Sequence, residues 1–105
     1  MRSKYQKKLG QNFLTDKNIL NKIIVSSSLK KSDTVLEIGA GRGELTSLLA
    51  GRVKRLIAVE IDRSLCEIVR HRLSGCDNFE LVNEDILKYD FSGLGKLKVI
   101  SNLPY

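Results

Sequence analysis

The sequence predicts an α/β fold built on a parallel sheet, and three observations carry that prediction. Val35-Leu36-Glu37-Ile38 is a short, mostly apolar run of strand type, and Gly39, Gly41 and Gly43 follow it at every second position. Residues 44–50 then read as a helix, with Leu45, Leu48 and Leu49 on one face. Strand, glycine turn and helix open a βαβ unit of the nucleotide-binding kind. Beyond it, strand-like and helix-like segments keep alternating, the pattern of a parallel sheet with right-handed crossovers.

The elements follow in chain order. Residues 1–15 show no periodicity and read as an extended arm. Asp16 is a good N-cap for a helix running to about Leu29, with Ile19, Leu20, Ile23 and Ile24 at helical spacing. Ser26-Ser27-Ser28 weakens its last turn, and Lys30 to Asp33 is a loop before the first strand. The second strand, Leu56 to Glu60, is nearly all apolar, as a strand covered on both faces should be. Asp62 and Ser64 can cap a helix over 65–73, and Gly75 to Asn78 is a turn. Phe79 to Asn83 alternates and reads as a third strand. Residues 86–95 are mostly loop, with room for one helical turn. Lys98 to Ser101 is a fourth strand, and Asn102-Leu103-Pro104-Tyr105 closes the sequence. A carboxyl end at the tip of a strand placed centrally would leave one sheet edge unpaired. The expectation is therefore the first part of a longer protein, with a basic arm over 1–15 and a cofactor-binding core over 16–105.

Composition narrows the class. The chain has 105 residues, of which 42% are hydrophobic, so it suits one small globular domain. It has no apolar run long enough to cross a bilayer. Its basic start lacks the apolar segment of a secretory signal. Cys66 falls on a helix and Cys76 in the loop after it; they match no metal spacing and read as free thiols in a reducing cytoplasm. No metal is expected. The net charge is +6, unevenly spread: residues 1–31 hold eight Lys and Arg against Asp16 alone. Such a patch suits a polyanion, nucleic acid first, and equally a solvated lysine-rich surface. His71 sits between Arg70 and Arg72 on a helix face turned to solvent, and reads as surface.

The glycine spacing bears on the ligand. A dinucleotide-binding turn is G-x-G-x-x-G, its last glycine allowing close helix packing. Here the pattern is G-x-G-x-G, and Glu44 stands where that last glycine would be. A carboxylate at a helix start repels a pyrophosphate, since the helix N-terminus is where the anion sits. A ligand with an adenosine and no phosphates fits better, and S-adenosylmethionine is one. Glu60 ends the second strand, roughly 20 residues on, where a ribose-binding carboxylate is placed in such units. The plain alternative is an ordinary tight turn in an α/β protein.

Five segments together carry a resemblance. They are Gly10-Gln11-Asn12-Phe13-Leu14, Glu37 to Thr46, Val59-Glu60-Ile61-Asp62, Asn83-Glu84-Asp85-Ile86 and Asn102-Leu103-Pro104-Tyr105. In this order they resemble the N-terminal part of the ribosomal RNA adenine N6-dimethyltransferases, a family related to the erythromycin-resistance methyltransferases. The resemblance implies a Rossmann-like methyltransferase fold, a parallel sheet with flanking helices cut off after its fourth strand, binding S-adenosylmethionine at the carboxyl ends of its strands. It implies that Gly39 and Gly41 let the methionine part approach the main chain. Glu37 would meet its ammonium group, directly or through a water, and Glu60 the two ribose hydroxyls. Asp85 would accept from the adenine amino group, or simply cap a turn. Ile61 and Ile86 would sandwich the adenine, or simply fill the core. Asn12 and Leu14 would cover the methionine side, or pack the arm onto the body. The side chain of Asn102 and the carbonyl of Leu103 would hold the two N–H hydrogens of a target adenine. Pro104 would stiffen the loop and Tyr105 stack on the base. Without the other motifs, Asn-Leu-Pro-Tyr is a strand-ending turn. Arg2, Lys4, Lys7 and Lys8 would touch RNA phosphates.

The implied function is S-adenosylmethionine-dependent N6-dimethylation of small-subunit ribosomal RNA in the cytoplasm. Leu103 inclines the reading to that branch over the large-subunit resistance enzymes. Two other classes compete: an NAD-dependent oxidoreductase domain, opposed by Glu44 and by the Asn-Leu-Pro-Tyr end, and a non-enzymatic RNA-binding module using the basic arm. Residues 1–105 alone are expected to fold, to bind cofactor weakly, to self-associate through an open sheet edge and not to methylate.

Overall fold

A computed structural model describes residues 17–101 as a parallel sheet with helices against it. The strands are β1 (Thr34–Ile38), β2 (Arg55–Val59), β3 (Phe79–Val82) and β4 (Lys98–Ser101). The helices are α1 (Lys17–Ser26), α2 (Glu44–Ala50) and α3 (Arg63–Arg72), and a 3-10 turn covers Ser92–Leu94. Strand order is β3-β2-β1-β4. The chain steps outward from β1 to β3, then returns to lay β4 on the other side of β1. That reversal makes a switch point, the place where open parallel sheets of this kind bind their ligands.

Register aligns the strand ends. Ile38 pairs with Val59 on one side and with Ser101 on the other, and Val59 pairs with Val82. The glycine turn, the segment after β2 and the segment after β3 therefore all leave from one end of the sheet.

Alternation sorts the side chains onto two faces. Val35, Leu56, Ala58 and Ile100 join Leu20 and Ile24 of α1, Leu45 and Leu49 of α2, and Val69 and Leu73 of the third helical segment in one buried cluster. Leu36, Ile57 and Val59 face the other way, under Val82, Ile86, Tyr89, Leu94 and Leu97. A covering on both faces is why β2 reads as an unbroken apolar run.

Several boundaries differ from the sequence reading. α1 stops at Ser26 and not near Leu29. The Ser26 hydroxyl donates to the Lys22 carbonyl at 2.8 Å and that of Ser27 to the Ile23 carbonyl at 2.6 Å, which gives the backbone an exit from the helix. Ser28 then takes a left-handed φ of 50°. α3 begins at Arg63, two residues early, because Asp62 and not Ser64 is the cap: its Oδ1 accepts from Ser64 N and Leu65 N. Leu48, assigned to the apolar face of α2, is 36% exposed. Glu60 and Asn83 lie just past β2 and β3 rather than in them. Among the described residues β4 is an edge strand, paired with β1 alone, which is the unpaired sheet edge that the sequence leads one to expect. Asp16, the expected cap of α1, lies outside the described residues, as does the arm.

Candidate functional site

The turn after β1 is held by left-handed glycines: φ is 81° at Gly39, 59° at Gly41 and 88° at Gly43. A side chain at any of them would strain the backbone. The third glycine also has a packing reason. A Cβ on Gly43 would lie 3.3 Å from Cδ of Arg72 and 3.4 Å from Cγ2 of Val69, so this glycine lets α3 close over the start of α2. Glu44, the first residue of α2, carries its carboxylate 3.7 Å from the Arg72 guanidinium.

Glu60 ties the turn to the second strand. Its Oε1 accepts from Gly41 N at 2.9 Å and its Oε2 from Asp62 N at 3.0 Å. The residue as a whole is buried, at 7% exposure. Each oxygen accepts one N–H and keeps a lone pair for another donor. The main chain of Glu60 is fixed as firmly, its N–H to the Val82 carbonyl and its own carbonyl receiving Glu84 N.

Glu37 lies under the turn and is fully buried. Alternation puts it on the face of Val35 and Ile100, against α2, where the Thr46 hydroxyl donates to Oε1 at 2.6 Å. Oε2 finds no hydrogen-bond partner among the described residues. Burial pushes its pKa from the ordinary 4.5 up to about 7, against the lowering pull of the Thr46 hydrogen bond, and the charge of Glu60 adds to the rise.

The other predicted residues divide. Ile61 is 68% exposed, so it is not a core residue; it stands free at the same strand end as Glu60. Ile86 is half-buried and packs on Leu36, Ile57 and Val59. Asp85 does cap a turn, its Oδ1 accepting from Leu87 N at 3.0 Å. Asn12, Leu14, Asn102, Leu103, Pro104 and Tyr105 lie outside the described residues, as do Arg2, Lys4, Lys7 and Lys8. His71 is exposed, as read; Cys66 is a buried free thiol, and burial pushes its pKa up.

Two contributors escaped the sequence reading. Thr46 was a letter in a motif, yet it is the buried partner of Glu37; the signal was a hydroxyl set between Leu45 and Leu49 on the inner face of α2. Asn83 donates from Nδ2 to the carbonyls of Glu60 and Ile61, at 2.9 and 3.1 Å. Nothing in its spacing marks that contact. Among the described residues no group of three or more His, Cys, Asp or Glu is placed to hold a metal ion, and no helix is long and apolar enough to cross a membrane.

Comparison with known proteins bears on the family and the fold. Residues 2–105 match the family model described as ribosomal RNA adenine dimethylase. A relative from Fusobacterium nucleatum, named ribosomal RNA small subunit methyltransferase A, is 48% identical, covering all of this chain and 41% of its own. Curated relatives of that name are matched over 37–41% of their length, so the chain spans about two fifths of them. Among solved structures, the 23S rRNA methyltransferase ErmE superposes with a TM-score of 0.79 at 34% identity, over 89% of this chain and 38% of that one. A dimethyladenosine transferase from Plasmodium falciparum gives 0.75 at 36%, over 86% and 33%.

Proposed function

The chain belongs to the ribosomal RNA adenine dimethylase family, and on that premise we propose that it carries the cofactor-binding half of an S-adenosylmethionine-dependent enzyme that dimethylates N6 of adenines in small-subunit ribosomal RNA. One observation carries the proposal: a half-satisfied carboxylate, Glu60, hangs on the glycine turn beside an exposed Ile61, at the strand end next to the switch point.

The residues present fit an adenosine with a cationic tail. Glu60 has one spare lone pair on each oxygen for the two ribose hydroxyls. Gly39 and Gly41 leave no side chain between the ligand and the main chain. The orphaned Oε2 of Glu37 is an acceptor that a donor from the methionine ammonium, direct or through a water, would satisfy. Ile61 and Ile86 offer the adenine its two apolar faces, and Asp85 accepts from its amino group. Asn12 and Leu14 close the methionine side. Glu44, paired with Arg72, keeps a carboxylate where a pyrophosphate would need to lie, which disfavours a dinucleotide.

Bound S-adenosylmethionine supplies an electrophilic methyl group on a sulfonium. The chain's task is to present the target. The amino nitrogen of adenine is a weak nucleophile because its lone pair is delocalised into the ring. The Asn102 side-chain oxygen and the Leu103 carbonyl accept its two hydrogens and draw the nitrogen toward tetrahedral geometry. Pro104 restricts that loop and Tyr105 stacks on the base. Positioning supplies most of the rate. A paired target is flipped out first. Arg2, Lys4, Lys7 and Lys8 contact RNA phosphates without reading sequence. The reaction takes place in the cytoplasm. The β4 edge, open among the described residues, gives the isolated 105 residues a surface for self-association.

The test is methyl transfer by the whole protein to undermethylated small ribosomal subunits, with large subunits alongside. Asn102→Ala should cut the rate on small subunits by at least about a hundredfold, the scale of a lost transition-state contact. An undiminished rate overturns the assignment of Asn102. Transfer to large subunits alone favours the resistance-type activity that the likeness to ErmE brings in as the second reading.

A further inference from the structure

β2 and β3 stop pairing one step before the site. Val59 pairs with Val82, Glu60 N–H reaches the Val82 carbonyl, and Glu84 N–H reaches the Glu60 carbonyl at 3.2 Å. From there the two chains part, one turning into α3 through the Asp62 cap and the other into the turn capped by Asp85. Only a side chain can bridge the fork. Asn83 does so: Nδ2 donates to the Glu60 carbonyl at 2.9 Å and to the Ile61 carbonyl at 3.1 Å. The amide orientation follows from its partners, since an oxygen in that place would face two carbonyl acceptors. The Cys66 thiol, 3.4 Å from the same Glu60 carbonyl, is a weaker third donor from α3.

We propose that Asn83 is a positioning residue that fixes the spacing between the loop of Ile61 and the loop of Asp85 and Ile86, and so sets the selectivity of the cofactor pocket for adenine. The proposal rests on the cofactor reading above. The Asn83 amide nitrogen is spent on these two main-chain carbonyls, so its role is to hold the loop and not to meet the ligand. It acts through the Ile61 main chain, which it holds at the mouth of the fork, while Glu60 has its own anchors in Gly41 N and Asp62 N. Loss of Asn83 should therefore spare the ribose contact and loosen the base contact.

The probes are S-adenosylhomocysteine and S-inosylhomocysteine, in which the adenine amino group is replaced by oxygen. The whole protein is titrated with both by calorimetry, as parent, Asn83→Ala and Asn83→Asp, with melting temperatures measured alongside. The parent should prefer the adenosyl ligand. Both variants should reduce that preference by about two- to tenfold, the worth of a partly exposed hydrogen bond. Asn83→Asp should lose more, because it turns a carboxylate onto two carbonyl oxygens. A preference unchanged in both variants, with or without a lower melting temperature, overturns the role of Asn83 and leaves the cofactor reading standing. A parent with no preference removes the Asp85 contact and this inference together.

Discussion

The two ends of the sheet are built from similar residues and finished differently. At the amino end the polar groups satisfy one another. Lys98 Nζ donates to the Ser28 carbonyl; the Asp33 carboxylate accepts from Lys30 N and lies 2.9 Å from Lys98 Nζ, and these two contacts on Asp33, the Lys30 hydrogen bond first, hold its pKa down. Arg55 meets Glu80 at 3.2 Å, and Asn78 donates to the carbonyls of Ala50 and Val53. At the carboxyl end, Glu37 keeps a buried oxygen without a partner among the described residues, Glu60 is only half-satisfied, three glycines are left-handed and Ile61 is exposed. A closed end contributes stability; an open end stores unmet bonding capacity for something that binds. The contrast is between two sets of groups on one sheet, so each set can be altered while the other serves as control.

The largest effect should come from Glu37. Its folded pKa, about 7, lies above the ordinary 4.5, so folding favours the protonated form. The stability it allows is present in full below about 4.5 and is lost as pH rises through about 7, a total of about 3 kcal/mol. Urea denaturation of the cofactor-free protein across that window should show the decline. Glu37→Gln, which keeps the Thr46 hydrogen bond, should flatten it and be the more stable form above pH 7. A parent curve without that decline would mean the open end carries no strain.

Asn78 should sharpen the contrast from the other side. Asn78→Ala removes the donor that joins the turn before β3 to the end of α2, and should cost about 1–2 kcal/mol of stability. Calorimetry should find its affinity for S-adenosylhomocysteine unchanged. Since Asn78 and Asn83 make the same two-carbonyl contact at opposite ends of β3, a fall in affinity from Asn78→Ala would erase the distinction between the ends.

The fold was legible in the sequence because its signals are local. A glycine turn after an apolar strand has one economical geometry, and β4 was placed over Lys98–Ser101 without error. Boundaries failed where a side chain overrides propensity: Ser26 and Ser27 end α1 by bonding backward, and Asp62 draws α3 back to Arg63. The position of Glu60 was readable from spacing, but its grip on Gly41 N was not, since that contact joins residues 19 apart through the sheet order. Thr46 and Asn83 stayed hidden for the same reason. Whether a hydroxyl or an amide faces solvent or a partner is settled by which strands lie side by side, and periodicity carries no such information.

The central claim is that the open end of the sheet is a cofactor site organised by Glu60, and one titration tests it directly. S-adenosylhomocysteine is added to the parent protein and to Glu60→Ala in a calorimeter, with Arg55→Ala as the control from the closed end. The account predicts that Glu60→Ala weakens binding by about 1–3 kcal/mol, the range for losing charge-assisted hydrogen bonds, while Arg55→Ala binds like the parent. Equal affinity for parent and Glu60→Ala would contradict it.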